Sequence, residues 1–156
     1  MTVLDFASAQ QVLAAQRFSA LLGARLVAFG DGEATLELDI RDELCQHNGV
    51  LHGGVLSYAA DNTLTFAAGT VASGTLMTAG LTIDYLRPAN GVTLRAHAQV
   101  IRAGRTRVVC RCELHTIAAE GVQTLCAVAQ GTVAVPVPGL STPLTLPNAT
   151  ETQRCR

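Results

Sequence analysis

Hydrophobic and polar residues alternate along this chain with two different periods. Residues 33–40 alternate strictly, with alanine, leucine or isoleucine at every second position and acidic or hydroxyl side chains between them. A period of two predicts a strand that buries one face and exposes the other. The Gly-Asp-Gly tripeptide at 30–32 has the residue types of a hairpin turn leading into this strand. Four later runs also predict strands, at residues 78–87, 92–102, 105–116 and 122–135.

Two other segments show the period of a helix. Residues 8–22 place apolar side chains three and four positions apart, and Ser8 is a candidate N-cap. Residues 53–70 are apolar on almost every helical face, which is typical of a helix buried on all sides. An uncharged run from Asn62 to Ile83 overlaps this helix, but the glycines at 69, 74 and 80 interrupt it and argue against a membrane span.

Short, turn-like connections separate the four later strands. They lie at residues 88–91, 103–104 and 118–121. Parallel pairing needs a crossover of a dozen or more residues, so these connections predict an antiparallel meander. We therefore expect a single α+β domain over residues 1–135, in which one long helix packs against an antiparallel sheet. Residues 136–156 contain four prolines and predict an extended or disordered tail.

Composition and charge restrict the compartment and the partners. The 156 residues are 49% hydrophobic and only 4% aromatic, so valine, leucine and alanine must build the core. A net charge of -1 argues against nucleic acid and acidic membranes as partners. The N-terminal residues lack the pattern of a secretory signal, and five scattered cysteines fit reduced thiols, so we expect a cytoplasmic protein. Cys110 and Cys112 are expected to point inward from a strand.

Asp61 is the one formally charged residue between Leu44 and Ile83, near the middle of the predicted central helix. An ionised carboxylate in apolar surroundings is costly unless it is paired, hydrogen-bonded or used in chemistry. Isolated carboxylates in such places are often catalytic. The structural alternative is a carboxylate that accepts hydrogen bonds from loop amides.

The segments around this helix carry a family resemblance. The loop at 46–54 reads QHNGVLHGG, and Asp61 follows seven residues after its end. The strand at 81–88 reads LTIDYLRP and the turn at 101–106 reads IRAGRT. Together, from about residue 22 to 135, they resemble the hotdog-fold acyl-CoA thioesterases of the phenylacetic-acid-degradation type. The resemblance implies a long central helix wrapped by a curved antiparallel sheet, and hydrolysis of acyl-CoA to a free acid and coenzyme A.

The resemblance also implies catalytic roles for Asp61, Gly53, Gln46, His52 and Thr78. Gly53 would offer its backbone N–H, at the positive end of the helix, to the developing oxyanion. Asp61 would act as general base on water or as nucleophile, and the sequence leaves both open. Gln46 is expected near the thioester carbonyl, His52 as support for the loop, and Thr78 beside the attacking water. Asp61 together with Gln46 combines features of two branches of the family, which leaves the substrate class open.

Substrate binding is expected to involve Asn48, Gly54, Arg87, Gly104, Arg105 and Thr106. Guanidinium groups could pair with the phosphates of coenzyme A, and Arg105 is favoured because its turn resembles the family's coenzyme A edge. The alternative for the arginines is a solvated sheet face, and for Asn48 a bond to the loop backbone. The acyl group, aryl or medium-chain, is not specified. Its pocket could be lined by Leu56, Tyr58, Leu64, Phe66 and Met77.

Gly53 and Asp61 lie about 12 Å apart along a helix, too far to act on one carbonyl in the same chain. We therefore expect a homodimer, or a dimer of dimers, with a site shared between subunits. No cofactor or metal is expected, since Cys45, His47 and His52 lack a fourth ligand at a zinc spacing. Two other functions stay open. A non-catalytic acyl-CoA sensor would carry appended DNA-binding helices, and an acyl-CoA hydratase or dehydratase would pair a histidine with its acid.

Overall fold

The computed structural model describes residues 4–136, so the predicted tail lies outside the described residues apart from Pro136. The elements in chain order are α1 (Phe6–Ala15), α2 (Arg17–Leu22), β1 (Arg25–Gly30), β2 (Glu33–Asp39), α3 (Gly53–Gly69), β3 (Met77–Tyr85), β4 (Thr93–Ala103), β5 (Arg107–Ile117) and β6 (Gln123–Ala134). A short 3-10 turn, Asp42–Leu44, follows β2. None of the described helices is long and apolar enough to cross a membrane.

The six strands form one antiparallel sheet in the order β1-β2-β4-β5-β6-β3, and α3 packs on one face of it. The interface between them is aliphatic, as the composition predicts. Its almost fully buried side chains include Leu36, Leu38, Leu64, Leu94 and Leu114. Cys110 and Cys112 are buried in the same layer, which confirms their inward orientation. This arrangement confirms the α+β hotdog fold.

The position of β3 corrects the predicted meander. Strands β4, β5 and β6 do follow one another as hairpins, but β3 pairs with β6 at the far edge of the sheet. Residues 86–92 are therefore a crossing segment and not a hairpin turn. Their backbone bonds reach distant parts of the chain, from Leu86 N–H to the Cys126 carbonyl and from Val92 N–H to the Ile117 carbonyl. Strand β3 thus becomes an edge strand, and it borders α3.

The predicted N-terminal helix is interrupted in the structure. Gln16 has extended backbone angles (φ -77°, ψ 109°) and separates α1 from α2. Its side-chain oxygen accepts hydrogen bonds from Ser19 at 2.7 Å and from Asn62 of α3 at 3.2 Å. This contact with α3 overrides local helix propensity. The predicted cap is also wrong, because Asp5 is the N-cap and accepts from the backbone N–H of Ser8.

Candidate active site

A row of small and polar residues runs along α3 at intervals of four. It consists of Gly53, Ser57, Asp61, Thr65 and Gly69. Residues four apart are neighbours on a helix surface. All five are half-buried, whereas most of the helix between them is buried. The prediction that α3 is buried on all sides is therefore wrong for the single chain, because edge strand β3 leaves this row partly uncovered.

Asp61 is held by a hydroxyl group from β3. Thr78 Oγ1 donates a hydrogen bond to Asp61 Oδ1 at 2.5 Å, and it lies 3.0 Å from Thr65 Oγ1. The contact depends on an irregularity at Ala79, where the pairing of β3 with β6 shifts by one residue. An extra residue in a strand reverses which face the next side chain occupies. Without this bulge, Thr78 would face away from α3.

The carboxylate of Asp61 opens onto a shallow hollow in the surface. The hollow is lined by Phe18, Ser57, Tyr58, Asp61, Thr78 and Leu81. Tyr58 donates to Ser19 of α2 at 2.6 Å and accepts from Asn62 at 2.9 Å. Burial raises the pKa of Tyr58, and the nearby Asp61 carboxylate adds to the increase. A neutral Tyr58 therefore fixes α2 beside Asp61 while the carboxylate itself stays accessible to water.

The loop before α3 positions the helix N-terminus. His52 is the N-cap, and its Nδ1 accepts a hydrogen bond from Gly54 N–H at 2.9 Å, so the ring acts as an acceptor at that nitrogen. His52 N–H bonds the Leu44 carbonyl at 2.9 Å, and Leu51 N–H bonds the Ala89 carbonyl at 3.1 Å. His52 thus supports the loop. The cap uses the Gly54 N–H as its hydrogen-bond donor.

The Gly53 amide is different. Within residues 4–136 its N–H has no hydrogen-bond acceptor. An unpaired N–H in the first turn of a helix can donate to an oxyanion, and the helix dipole favours negative charge there. A side chain at this position would also crowd Tyr85, whose ring lies 3.4 Å from where a Cβ atom would be.

A groove of about 420 Å³ borders Gly53. Gln46, Tyr85 and Arg87 supply its polar lining, and the other walls are apolar. Asn48 is exposed, and its side chain accepts from Val50 N–H at 3.5 Å within the loop. Of the two candidate amides, Gln46 is the one at the groove.

Two hydroxyl groups at this end of α3 were not found by sequence reasoning. Ser57 Oγ and Tyr85 OH are 2.7 Å apart, and Tyr85 donates to the Gly53 carbonyl at 3.1 Å. The signal for Ser57 was its spacing of four from both Gly53 and Asp61. Thr65, four residues after Asp61, has the same spacing and was also missed. Tyr85 has no signal in the local sequence, because it contacts α3 only in the folded chain.

The Gly104-Arg105-Thr106 turn lies far from the hydroxyl groups of Ser57 and Tyr85. All three residues of the turn are exposed at the tip of the β4–β5 hairpin. Across the sheet, Arg107 aligns with Ala134 and Ala134 with Met77, at the start of β3. Tyr85 and the groove are at the other end of β3, about 25 Å away at the usual rise per residue. One chain therefore brings Asp61 together with Thr78 at the end of the sheet that carries the Arg105 turn, and Gly53 together with Gln46 and Arg87 at the other end. The two groups lie apart.

Two of the residues proposed for the acyl pocket do not line one. Leu64 is fully buried in the core, and the Met77 side chain is 61% exposed. Leu56 lines the groove beside Gly53, Tyr58 lines the hollow at Asp61, and Phe66 lines a separate pocket near the end of α3.

Comparison with known proteins agrees with this fold. Residues 48–122 match the sequence model of the Thioesterase superfamily, a segment that includes α3 and strands β3 to β5. A predicted esterase of Saccharolobus solfataricus is 31% identical over 93 residues, and the match covers 59% of this chain and 66% of that protein.

Two solved structures share the fold over most of the chain. A thioesterase family protein from Silicibacter pomeroyi is 26% identical with a TM-score of 0.78, covering 81% of this chain and 94% of that one. A variant of the phenylacetic acid degradation protein PaaI from Thermus thermophilus is 26% identical with a TM-score of 0.66, covering 76% and 98%. The resemblance to hotdog-fold thioesterases that the sequence indicates is confirmed.

Proposed function

We propose that this chain, which has a hotdog fold and a Thioesterase superfamily segment, hydrolyses acyl-CoA thioesters at a site shared by two subunits. In the reaction, a water oxygen forms a bond to the acyl carbon, the carbon–sulfur bond breaks, and the leaving thiolate takes up a proton. Asp61 either accepts the proton of the attacking water or attacks the acyl carbon first. The Gly53 N–H donates to the oxyanion that develops on the carbonyl oxygen.

One observation carries the proposal. A water-accessible carboxylate, held by Thr78, and a helix N-terminal amide that has no acceptor among residues 4–136, at Gly53, occur on the same helix. Hydrolysis of a thioester needs both kinds of group. Eight residues separate them, about 12 Å along the axis, so each needs its partner from a second chain.

The position of β3 supports this sharing. Among residues 4–136 it is an edge strand that pairs with β6 on one side and with no strand on the other, and it ends in exposed apolar residues, with Met77 61%, Tyr85 53% and Leu86 48% exposed. Exposed edges of this kind are normally covered. Suppose that β3 pairs antiparallel with β3 of a second subunit and that the two-fold axis passes near the central residue Leu81. Met77 would then lie opposite the partner's Tyr85.

That pairing places the Met77 end of β3 in one subunit beside the Tyr85 end of β3 in the other. Asp61 and Thr78, together with the Arg105 turn, belong to the Met77 end, and Gly53, Gln46 and Arg87 belong to the Tyr85 end. In the proposed dimer, the groups that one chain keeps apart would therefore meet across the two-fold axis. The acyl carbonyl would lie between Asp61 and the partner's Gly53, and the nucleotide phosphates would extend toward Arg105 or Arg87.

The activity is tested with the purified full-length chain and a panel of acyl-CoA thioesters, with release of free thiol as the readout. We expect turnover of at least one thioester with a kcat/KM of about 10⁴ M⁻¹s⁻¹ or more, the lower end of the usual enzyme range. Oxygen esters of the same acids serve as the control. Faster hydrolysis of the oxygen esters, or no thiol release from any thioester, would contradict the proposal.

A further inference from the structure

We infer that a pocket at the C-terminal end of α3 receives the acyl group of the thioester and restricts it to uncharged groups of medium size. This inference rests on the proposed function. The pocket has a volume of about 230 Å³ and lies between α1, α3, β1 and the loop before β3. It is separate from the groove beside Gly53 and from the hollow at Asp61.

One wall of the pocket lies close to Asp61. Thr65 lines the pocket, and its hydroxyl lies 3.0 Å from that of Thr78, which is bonded to Asp61. Gln16, which also lines the pocket, accepts a hydrogen bond from Asn62, the residue after Asp61. An acyl group whose carbonyl is near Asp61 can therefore enter the pocket directly past Thr65.

The far end of the pocket is apolar. Phe29 of β1 and Phe66 of α3 meet edge to face with ring centroids 6.3 Å apart, and Leu76 completes the wall. Gly69 lies one helical turn beyond Thr65. A Cβ atom there would meet Leu76 at 3.8 Å and Phe29 at 3.9 Å, which is ordinary contact. The missing side chain of Gly69 thus leaves the space between these two residues open.

The residues that line the pocket also determine the charge and the size of the acyl group that it can hold. Among residues 4–136, none of those that line the pocket carries a formal charge. A carboxylate at the end of an acyl chain would be buried there without a partner, which is strongly unfavourable. An engineered cavity of about 150 Å³ holds benzene, so this pocket has room for a medium-length alkyl chain or one ring with a short linker.

The test compares kcat/KM for acetyl-, butyryl-, hexanoyl-, octanoyl- and palmitoyl-CoA in four proteins. They are the natural chain, Gly69→Leu, which fills the pocket, Phe29→Ala, which enlarges it, and Val27→Ala, a control on the same strand that is not part of the pocket lining. Thermal melting checks that each variant is folded.

For the natural chain we expect kcat/KM to rise about fourfold per methylene up to octanoyl and then to fall for palmitoyl. Gly69→Leu should lower the octanoyl-to-acetyl ratio by about 50-fold, because leucine takes the space of roughly three methylenes. Phe29→Ala should move the optimum to longer chains, and Val27→Ala should leave the profile unchanged. Pentanoyl-CoA should be preferred over glutaryl-CoA by about 100-fold or more.

A flat chain-length profile in the natural chain, or ratios that Gly69→Leu and Phe29→Ala both leave unchanged, would overturn the inference. A chain-length profile that Phe18→Ala shifts instead would also overturn it, because the acyl group would then lie in the open hollow at Asp61. Calorimetric binding of S-alkyl-CoA thioethers of the same lengths separates this inference from the proposed function. Length-dependent binding that Gly69→Leu abolishes, without hydrolysis of any thioester, would refute the function and support the pocket; length-independent binding would refute the pocket.

Discussion

Asp61 lies beside three hydroxyl-bearing side chains, two from its own helix and one from β3. Thr78 donates to its carboxylate from β3, Thr65 lies beside Thr78 from the next turn of α3, and Tyr58 borders the same hollow. Sequence reasoning singled out Asp61 because it is an isolated charge, and Thr78 through a family resemblance. The contact between them could not be derived from alternation along β3, because the bulge at Ala79 reverses the face on which Thr78 lies.

The role of Asp61 predicts the effect of a nearly isosteric change. Asp61→Asn keeps the size of the side chain and can still accept a hydrogen bond from Thr78, but it is neither a base nor a nucleophile. We expect kcat for acyl-CoA to fall by at least about 100-fold with the melting temperature within a few degrees of the natural chain. Steady-state kinetics and a thermal melt measure both. A folded Asn variant with natural turnover would remove Asp61 from the mechanism.

The buried thiols predict how stability depends on pH. Burial raises the pKa of Cys110 to about 11 and, with a smaller effect of Glu113, the pKa of Cys112 to about 12. In the unfolded chain these thiols ionise near their ordinary pKa, so above about pH 9 unfolding releases protons. The contribution of these thiols to stability should therefore be constant below that pH and fall above it, by up to about 1.4 kcal/mol per thiol and pH unit.

Urea unfolding at pH 7.5 and pH 10 tests this, with Cys112→Ala as the comparison. The variant should be less stable at pH 7.5, because alanine leaves a small cavity, yet lose less free energy of unfolding between the two pH values. If both proteins lose the same amount, the raised pKa of Cys112 has no part in the pH dependence.

At the scale of elements, sequence patterns predicted most helices and strands but not their neighbours. The strand at 33–40, its hairpin turn and the helix at 53–70 agree with β2, residues 30–32 and α3 to within one residue. The break at Gln16 and the displacement of β3 were missed, because both result from contacts between segments distant in sequence. The bond from Asn62 to Gln16 and the backbone bonds of residues 86–92 are of this kind.

The β4–β5 turn predicts a selective effect on the nucleotide part of the substrate. Arg105 is exposed there, and its guanidinium has no hydrogen-bond partner among residues 4–136. Arg105→Ala should raise KM about tenfold for a coenzyme A thioester and little for the matching pantetheine thioester, which lacks the nucleotide phosphates. Arg95→Ala is the matched control, since Arg95 bonds Glu37 on the sheet surface. Equal effects of Arg105→Ala on both substrates would assign Arg105 a structural role.

At the scale of the whole molecule, the proposed site divides into two halves that lie apart in the single chain. Asp61 and Thr78 form one half, and Gly53 with Gln46 and Arg87 forms the other, at opposite ends of β3. The spacing of Gly53 and Asp61 on one helix already indicated this from the sequence. That β3 lies at the edge of the sheet among residues 4–136, where the proposed dimer would use it, could be learned only from the order of the strands.

The central claim, a site shared between subunits, is tested most directly by mixing two inactive chains. One is Asp61→Asn. The other is Gly53→Pro, which removes the proposed N–H donor at a helix position where proline is favoured. His52, with ψ 135°, already has the extended backbone that a following proline requires.

Heterodimers purified through two different affinity tags then contain one intact and one doubly defective site. The account predicts that each homodimer is nearly inactive and that the heterodimer recovers up to about half of the natural activity per dimer. Thermal melts confirm that both variants are folded. Verified heterodimers without recovered activity would contradict the account, because Asp61 and Gly53 would then act within the same chain.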